Sequence, residues 1–301
     1  MQRAVRQLYF ILFLFLFLLQ ASSIWSQTSP PQSVLGTEAI TKANPTPSLR
    51  EQSWGILEAG VKDSSSVNRA SAVRVLSLLR GEPKAVPMAA KALDDLKPPV
   101  RTAAAIALGK LHAASSIPKL KKTLADKNTL VVLAASHSLL TLKDKSGYEA
   151  YYAILMGDRK GEGLIASQLA TLKDPKQMAA LGFHEGIGFV PFGDISYMAF
   201  RTMTKDQGAP LRAASAKALE DDPDPLTEDA LVQTALSDKN PLVREAALQA
   251  LAHRGNPATV DKLALALSDD KDPVRFTAAA TIVHLSGIAK RHKSGTAAET
   301  R

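Results

Sequence analysis

The stretch Val100-Arg-Thr-Ala-Ala-Ala-Ile-Ala-Leu108 sets a branched apolar residue first, arginine second, small residues three, four and seven places on, and leucine at the eighth. Places 0, 3, 4, 7 and 8 share one face of an α-helix, and a face made of alanines lets a neighbouring helix approach closely. Five other stretches repeat the pattern. They start at Val67, Val131, Leu211, Val243 and Val274, so that successive starts lie 33, 31, 80, 32 and 31 residues apart.

What precedes each start is equally regular. An aspartate stands five residues upstream in five of the six (Asp95, Asp126, Asp206, Asp238, Asp269), with Asp63 one place closer in the first. A leucine two residues before four of these aspartates (Leu93, Leu124, Leu236, Leu267) closes a preceding helix. Pro99, Pro210, Pro241 and Pro273 fall at or next to the start of the second helix, where the missing N–H costs nothing and φ is already set. Asn240 and Asp272, each just before its proline, are ready N-caps. Each unit therefore reads as helix, tight turn, helix. No single pair can bury its own apolar face, so the pattern predicts an all-α fold, an α-solenoid of stacked helical repeats.

This pattern of Leu-x-Asp, a proline near the turn, Val-Arg and an Ala-rich second helix resembles the HEAT-like repeats of the phycobilisome-lyase type. Ile117-Pro-Lys-Leu-Lys-Lys-Thr-Leu-Ala-Asp126, following Leu108-Gly-Lys-Leu111, matches it best, and the resemblance covers residues 52–145 and 205–290. It implies a solenoid, armadillo-like in its helical stacking, with the Val-Arg helices lining the concave face. It implies no activity, because such repeats serve scaffolds, adaptors and a few enzymes alike.

Arg101, Arg212, Arg244 and Arg275 each follow a repeat start and would form a ladder along the stack. An arginine so placed can reach the aspartate of its own or the adjoining turn and fix the repeat register through charge-assisted hydrogen bonds. Anion binding is the other reading, weakened because Asn68 and Val132 interrupt the series. His253 and His284 both lie ten residues after their starts, where a histidine ending a helix complements the dipole.

The 80-residue gap between Val131 and Leu211 amounts to one degenerate repeat plus an insertion, at about 146–204. Eight of the ten aromatic residues beyond Gln27, and seven glycines, lie between Tyr148 and Phe200, a concentration that stacking Ala-rich helices does not require. Phe183, Phe189, Phe192, Tyr197 and Phe200 either fill a larger apolar space where the stack changes curvature or form a partly exposed surface that grips a partner protein or a membrane face. Asp194 and Arg201 exclude a membrane span there. His184-Glu185 has no further ligand at metal spacing, and Gly186-Ile-Gly188 is not a dinucleotide fingerprint.

At the amino end, Arg3 and Arg6 precede twelve apolar residues, Leu8 to Leu19, and then small residues. That reads as an export signal over residues 1–26, cleaved before Ile24 or Gln27; an uncleaved signal anchor is the alternative. Residues 27–50, with four prolines, read as a flexible leader, 51–290 as the solenoid, and 291–301 as a disordered basic tail. With no cysteine in the 301 residues, disulfides, thiol catalysis and a lipid-modified cysteine are excluded. The formal charge of +8 shrinks once Arg3 and Arg6 are removed and is weak support for a nucleic-acid partner. The expected function is a non-catalytic protein–protein interaction scaffold or adaptor of a bacterial cell envelope, periplasmic or extracellular. Another protein is the expected partner, with peripheral membrane contact open, and no catalytic residue, cofactor, metal or nucleic acid is expected. The alternative is a lyase-like enzyme or carrier holding a chromophore or other large apolar ligand on the concave face.

Overall fold

A computed structural model describes residues 47–148, 151, 206 and 208–299, with side chains placed as far as Arg291. All regular structure among these residues is helical. The first repeat comprises α1 (Leu49–Gly60) and α2 (Ser66–Val75), which runs on into a 3-10 turn (Leu76–Leu78). The second is α3 (Ala85–Ala92) with α4 (Pro98–Lys110), and the third α5 (Ile117–Thr123) with α6 (Thr129–Thr141). Of the fourth, α7 (Ala209–Ala218) is described; the fifth is α8 (Pro225–Ser237) with α9 (Pro241–Arg254). The sixth pairs two 3-10 segments (Pro257–Thr259, Asp261–Ser268) with α10 (Asp272–Glu299).

Local chemistry explains the boundaries. Ser48 and Glu51 form a reciprocal capping box, so α1 begins at Leu49, inside the stretch expected to be leader. Asn128, Asp224 and Asn240 cap α6, α8 and α9 through their side-chain oxygens. Asp272 is not a cap but the first residue of α10. The carboxyl ends of α4, α6 and α9 turn on residues in the left-handed region, His112 (φ 52°), Lys143 (φ 63°) and Gly255 (φ 71°).

The second helices pack in the order α7, α9, α10, α2, α4, α6. The sixth repeat is therefore followed in space by the first: the first described repeat stands in the middle of the described stack. Helix α10 joins the two halves because both of its sides are apolar. Val274, Ala278, Ile282 and Leu285 enter the core of the fourth to sixth repeats, while Phe276, Ala279, Ala280 and Val283 enter that of the first three. A Cβ on Gly60 would sit 2.5 Å from the Phe276 ring, so the end of α1 reaches α10 only because residue 60 is glycine. The expected tail is helical to Glu299; just before it, Ile288 packs against the core and Gly287 lies beside Glu82.

Buried hydroxyls tie the layers together at matching places. Ser138 donates to the Ala105 carbonyl of the preceding layer at 2.7 Å, and Thr281 donates to the Leu248 carbonyl at 3.1 Å. No described helix is long and apolar enough to cross a membrane.

Candidate functional site

The aspartates and arginines of the repeat meet along the edge formed by the turns. Each aspartate first turns its own chain by accepting the amide two residues on: Lys97 for Asp95, Asn128 for Asp126, Gly208 for Asp206, Asn240 for Asp238 and Lys271 for Asp269. It is then free to receive an arginine. The Arg101 guanidinium donates two bonds to Asp126 of the next layer, at 2.7 and 2.9 Å, and a third to the Asp95 carbonyl at 2.8 Å. Arg244 grips Asp269 and the Asp238 carbonyl in the same way. Arg212 binds Asp238, and also the Asp206 carboxylate behind it at 2.7 Å.

In the first repeat the role falls to Arg69, which donates to Asp95 at 2.8 and 3.0 Å and to the Asp63 carbonyl at 2.9 Å. Arg69 follows Asp63 at the interval by which Arg101 follows Asp95, so the first repeat starts at Asn68 rather than Val67. Asp63 is then in register instead of one place close. Arg275 departs from the series, pairing with Asp272 in its own helix and with the Asp269 carbonyl. Between the sixth and first layers Asn68 does the bridging, donating to Asp272 at 2.8 Å and to Asp63 at 3.3 Å. Val132, which breaks the series in the third repeat, lies in the last described layer. Burial pushes the Asp95 and Asp126 carboxyls up, but the arginine hydrogen bonds, the turn amides and the guanidinium charge outweigh it and hold both below the ordinary carboxylate range.

On the face formed by the second helices, equivalent places ten residues after each start carry Asp221, His253, His284, Leu78, Lys110 and Thr141, in spatial order. A groove of about 280 Å³ runs over the first four of these layers, lined by Lys217, Glu220, Gln249, Ala252, His253, His284 and Leu78. Its rim is charged: Lys217 donates to Glu220 at 2.7 Å, and His253 Nε2 lies 3.0 Å from the Asp221 carboxylate.

A family model for HEAT repeats matches residues 55–140 and 200–282. The chain belongs to the HEAT-repeat family. No curated protein matches it. Among solved structures, human deoxyhypusine hydroxylase in complex with glycerol is 17% identical over 79% of this chain and 88% of that one, with a TM-score of 0.30. The complex of CpcE and CpcF of phycocyanin lyase from Nostoc sp. is 21% identical over 86% of this chain and 99% of that one, with a TM-score of 0.31. Likenesses this distant say nothing of this HEAT-repeat protein's own chemistry.

Within the HEAT groove the two histidines differ. His253 ends α9 as expected, whereas His284 is no helix terminus, because α10 continues past it. Burial, then the Arg291 charge, lowers the His284 pKa; Glu82 and a hydrogen bond with the Leu78 backbone act the other way without cancelling the effect. An imidazole that resists protonation thus sits where the sixth layer meets the first. His137, on the same face of α6, is also lowered, by burial and then by Lys110. Glu220, Asp221 and His253 bring one nitrogen and two oxygens within 4.8 Å of one another, enough to touch a cation. The Lys217 ammonium already satisfies Glu220, and the Asp221 side chain is 82% exposed, so the trio is better described as an ion-paired rim.

Sequence reasoning reached the ladder and the matching histidines. It missed Lys217, Glu220 and Gln249, and it missed that Leu78 would stand beside His284. The available signals were Phe276 and Glu245, which occupy the place where the other repeats carry Ala70, Thr102, Leu133 and Ala213. Phe183, Phe189, Phe192, Tyr197 and Phe200 lie outside the described residues.

Proposed function

We propose that this HEAT-repeat protein is a non-catalytic scaffold of the cell envelope, exported through residues 1–26, which holds a segment of another protein along its concave face. The observation that carries this reading is the groove across four consecutive layers, with a polar rim at Lys217, Glu220 and His253 and a half-buried floor at Gln249, His284 and Leu78. Stacked repeats extend such a surface with each added unit, and a few well-placed side chains dominate binding to it. The aromatic residues Phe183, Phe189, Phe192, Tyr197 and Phe200 supply the specific contact in this reading.

The test is photocrosslinking in intact cells from position 253 in the groove, position 189 in the aromatic segment, and position 265, an exposed leucine on the outer face. One adduct shared by 253 and 189 and missing from 265 is the expected result. Adducts that do not differ among the three positions would overturn the reading. A chromophore co-purifying with the protein, seen as absorbance beyond the protein band, would replace it with a lyase-like carrier.

A further inference from the structure

The join between the sixth and first layers is an interface between two halves of one chain, built like a contact between two proteins. It is spanned by the Arg74–Glu245 ion pair at 2.9 Å, with side chains 7% and 4% exposed, which ties the first repeat past α10 to the fifth. Around it, Asn68 donates to Asp272, Arg50 donates to the Val283 carbonyl at 2.6 Å and pairs with Glu82, and Phe276 and Ala72 both close on Gly60. Every one of these contacts joins residues that precede position 149 to residues that follow position 205, or supports one that does. The two sides are complementary in charge and shape but are not alike, so the interface is heterologous.

We infer that this interface also accepts a second copy of the chain, two molecules exchanging halves so that each sixth repeat packs on the other molecule's first. Length permits it. Residues 149–205 join the third repeat to the fourth, which stand at opposite ends of the described stack. At ~3.3 Å per residue that length of chain reaches roughly 190 Å, whereas six layers spaced 8–10 Å apart set their end helices about 50 Å apart. Closure within one chain does not depend on concentration and exchange between two chains does, so a dilute chain closes on itself and exchange grows as chains fold at higher concentration. In the exchanged dimer each groove is composite: Lys217, Gln249, His253 and His284 come from one molecule and Leu78 from the other.

The test co-refolds two full-length chains, one carrying Arg74→Glu and the other Glu245→Arg. Alone, each sets like charges against each other in its own interface. Exchanged, one interface regains the native pair and the other holds the reversed pair. The expected result is a 1:1 dimer by native mass spectrometry, melting near the single chain that carries both substitutions. If that double variant folds as a monomer while the mixture yields only single-chain masses and the low melting points of its components, the inference is overturned. If the double variant does not fold, isotopically light and heavy wild-type chains are co-refolded at millimolar concentration. Mixed-mass dimers then support the exchange, and monomers alone overturn it.

Discussion

Arg74 of α2 and Glu245 of α9 are 171 residues apart in sequence, yet their side chains meet at 2.9 Å in the interior, across the layer formed by α10. Two charges so far from water need each other, because removing one leaves the other buried without a partner. Arg74→Met or Glu245→Leu alone should cost about 3–5 kcal/mol. Arg74→Met with Glu245→Leu should cost clearly less than the sum of the single losses. Urea denaturation of the four proteins gives the coupling energy, and strict additivity would show that the pair does not act as a unit.

Arg101 spends four bonds on two layers, the fourth to the Leu96 carbonyl at 3.2 Å, so its planar fork matters as well as its charge. Arg101→Ala should lower stability by about 1.5–3 kcal/mol, the worth of hydrogen bonds to a charged group. Arg101→Lys should recover less than half, since one ammonium cannot serve the Asp126 carboxylate twice and the Asp95 carbonyl as well. Full recovery by lysine, read from thermal melts, would mean that charge alone is used.

Because the folded-state pKa of His284 lies below its ordinary value of 6.5, the unfolded chain binds the proton first as pH falls. Stability is then full above about pH 6.5 and declines through the lower folded-state value. His137 titrates in the same sense. The ladder carboxylates follow at more acid pH, from about 4 downward. His284→Gln combined with His137→Gln should flatten the melting temperature between pH 7 and 5 while leaving the drop below pH 4. An unchanged slope between pH 7 and 5 would count against the lowered titration of these two imidazoles.

Helices α4 and α6 end on His112 and Lys143 with positive φ, where side chains other than glycine pay for the left-handed turn. The matching place in α9 is Gly255. His112→Gly and Lys143→Gly should each stabilise the protein by about 1 kcal/mol. A fall in melting temperature would show that the side chain contributes more than the turn costs.

Export through a cleaved signal predicts a mature protein beginning at Ile24 or Gln27. Intact-mass measurement of the protein recovered from the periplasm decides between those ends and a retained Met1.

Much of this architecture was legible because each repeat states its own geometry. The small residues of α4 and α6, the prolines at the starts of α4 and α9 and the turn aspartates are local signals, and local signals need only one repeat to be read. The packing of α10 on α1 and α2 is long-range, and its marks are single residues: Gly60 facing Phe276, and Arg74 facing Glu245. An off-pattern residue in one repeat reads as drift until its partner is known, which is also why Arg69 was one place out of register. The groove was half visible, since matching histidines can be counted along the chain, whereas Leu78 reaches His284 only because the first layer follows the sixth.

A stack whose first described repeat stands in its middle cannot be completed in the order in which the ribosome makes it. The surface of the first repeat around Gly60, Ala72 and Arg74 emerges early, while α10, which covers it, is made roughly 200 residues later, a delay of about 10–40 s at ordinary synthesis rates. For that interval the nascent protein shows an apolar face with an unneutralised arginine at its centre. Its biogenesis, more than its finished form, is where chaperones would be needed.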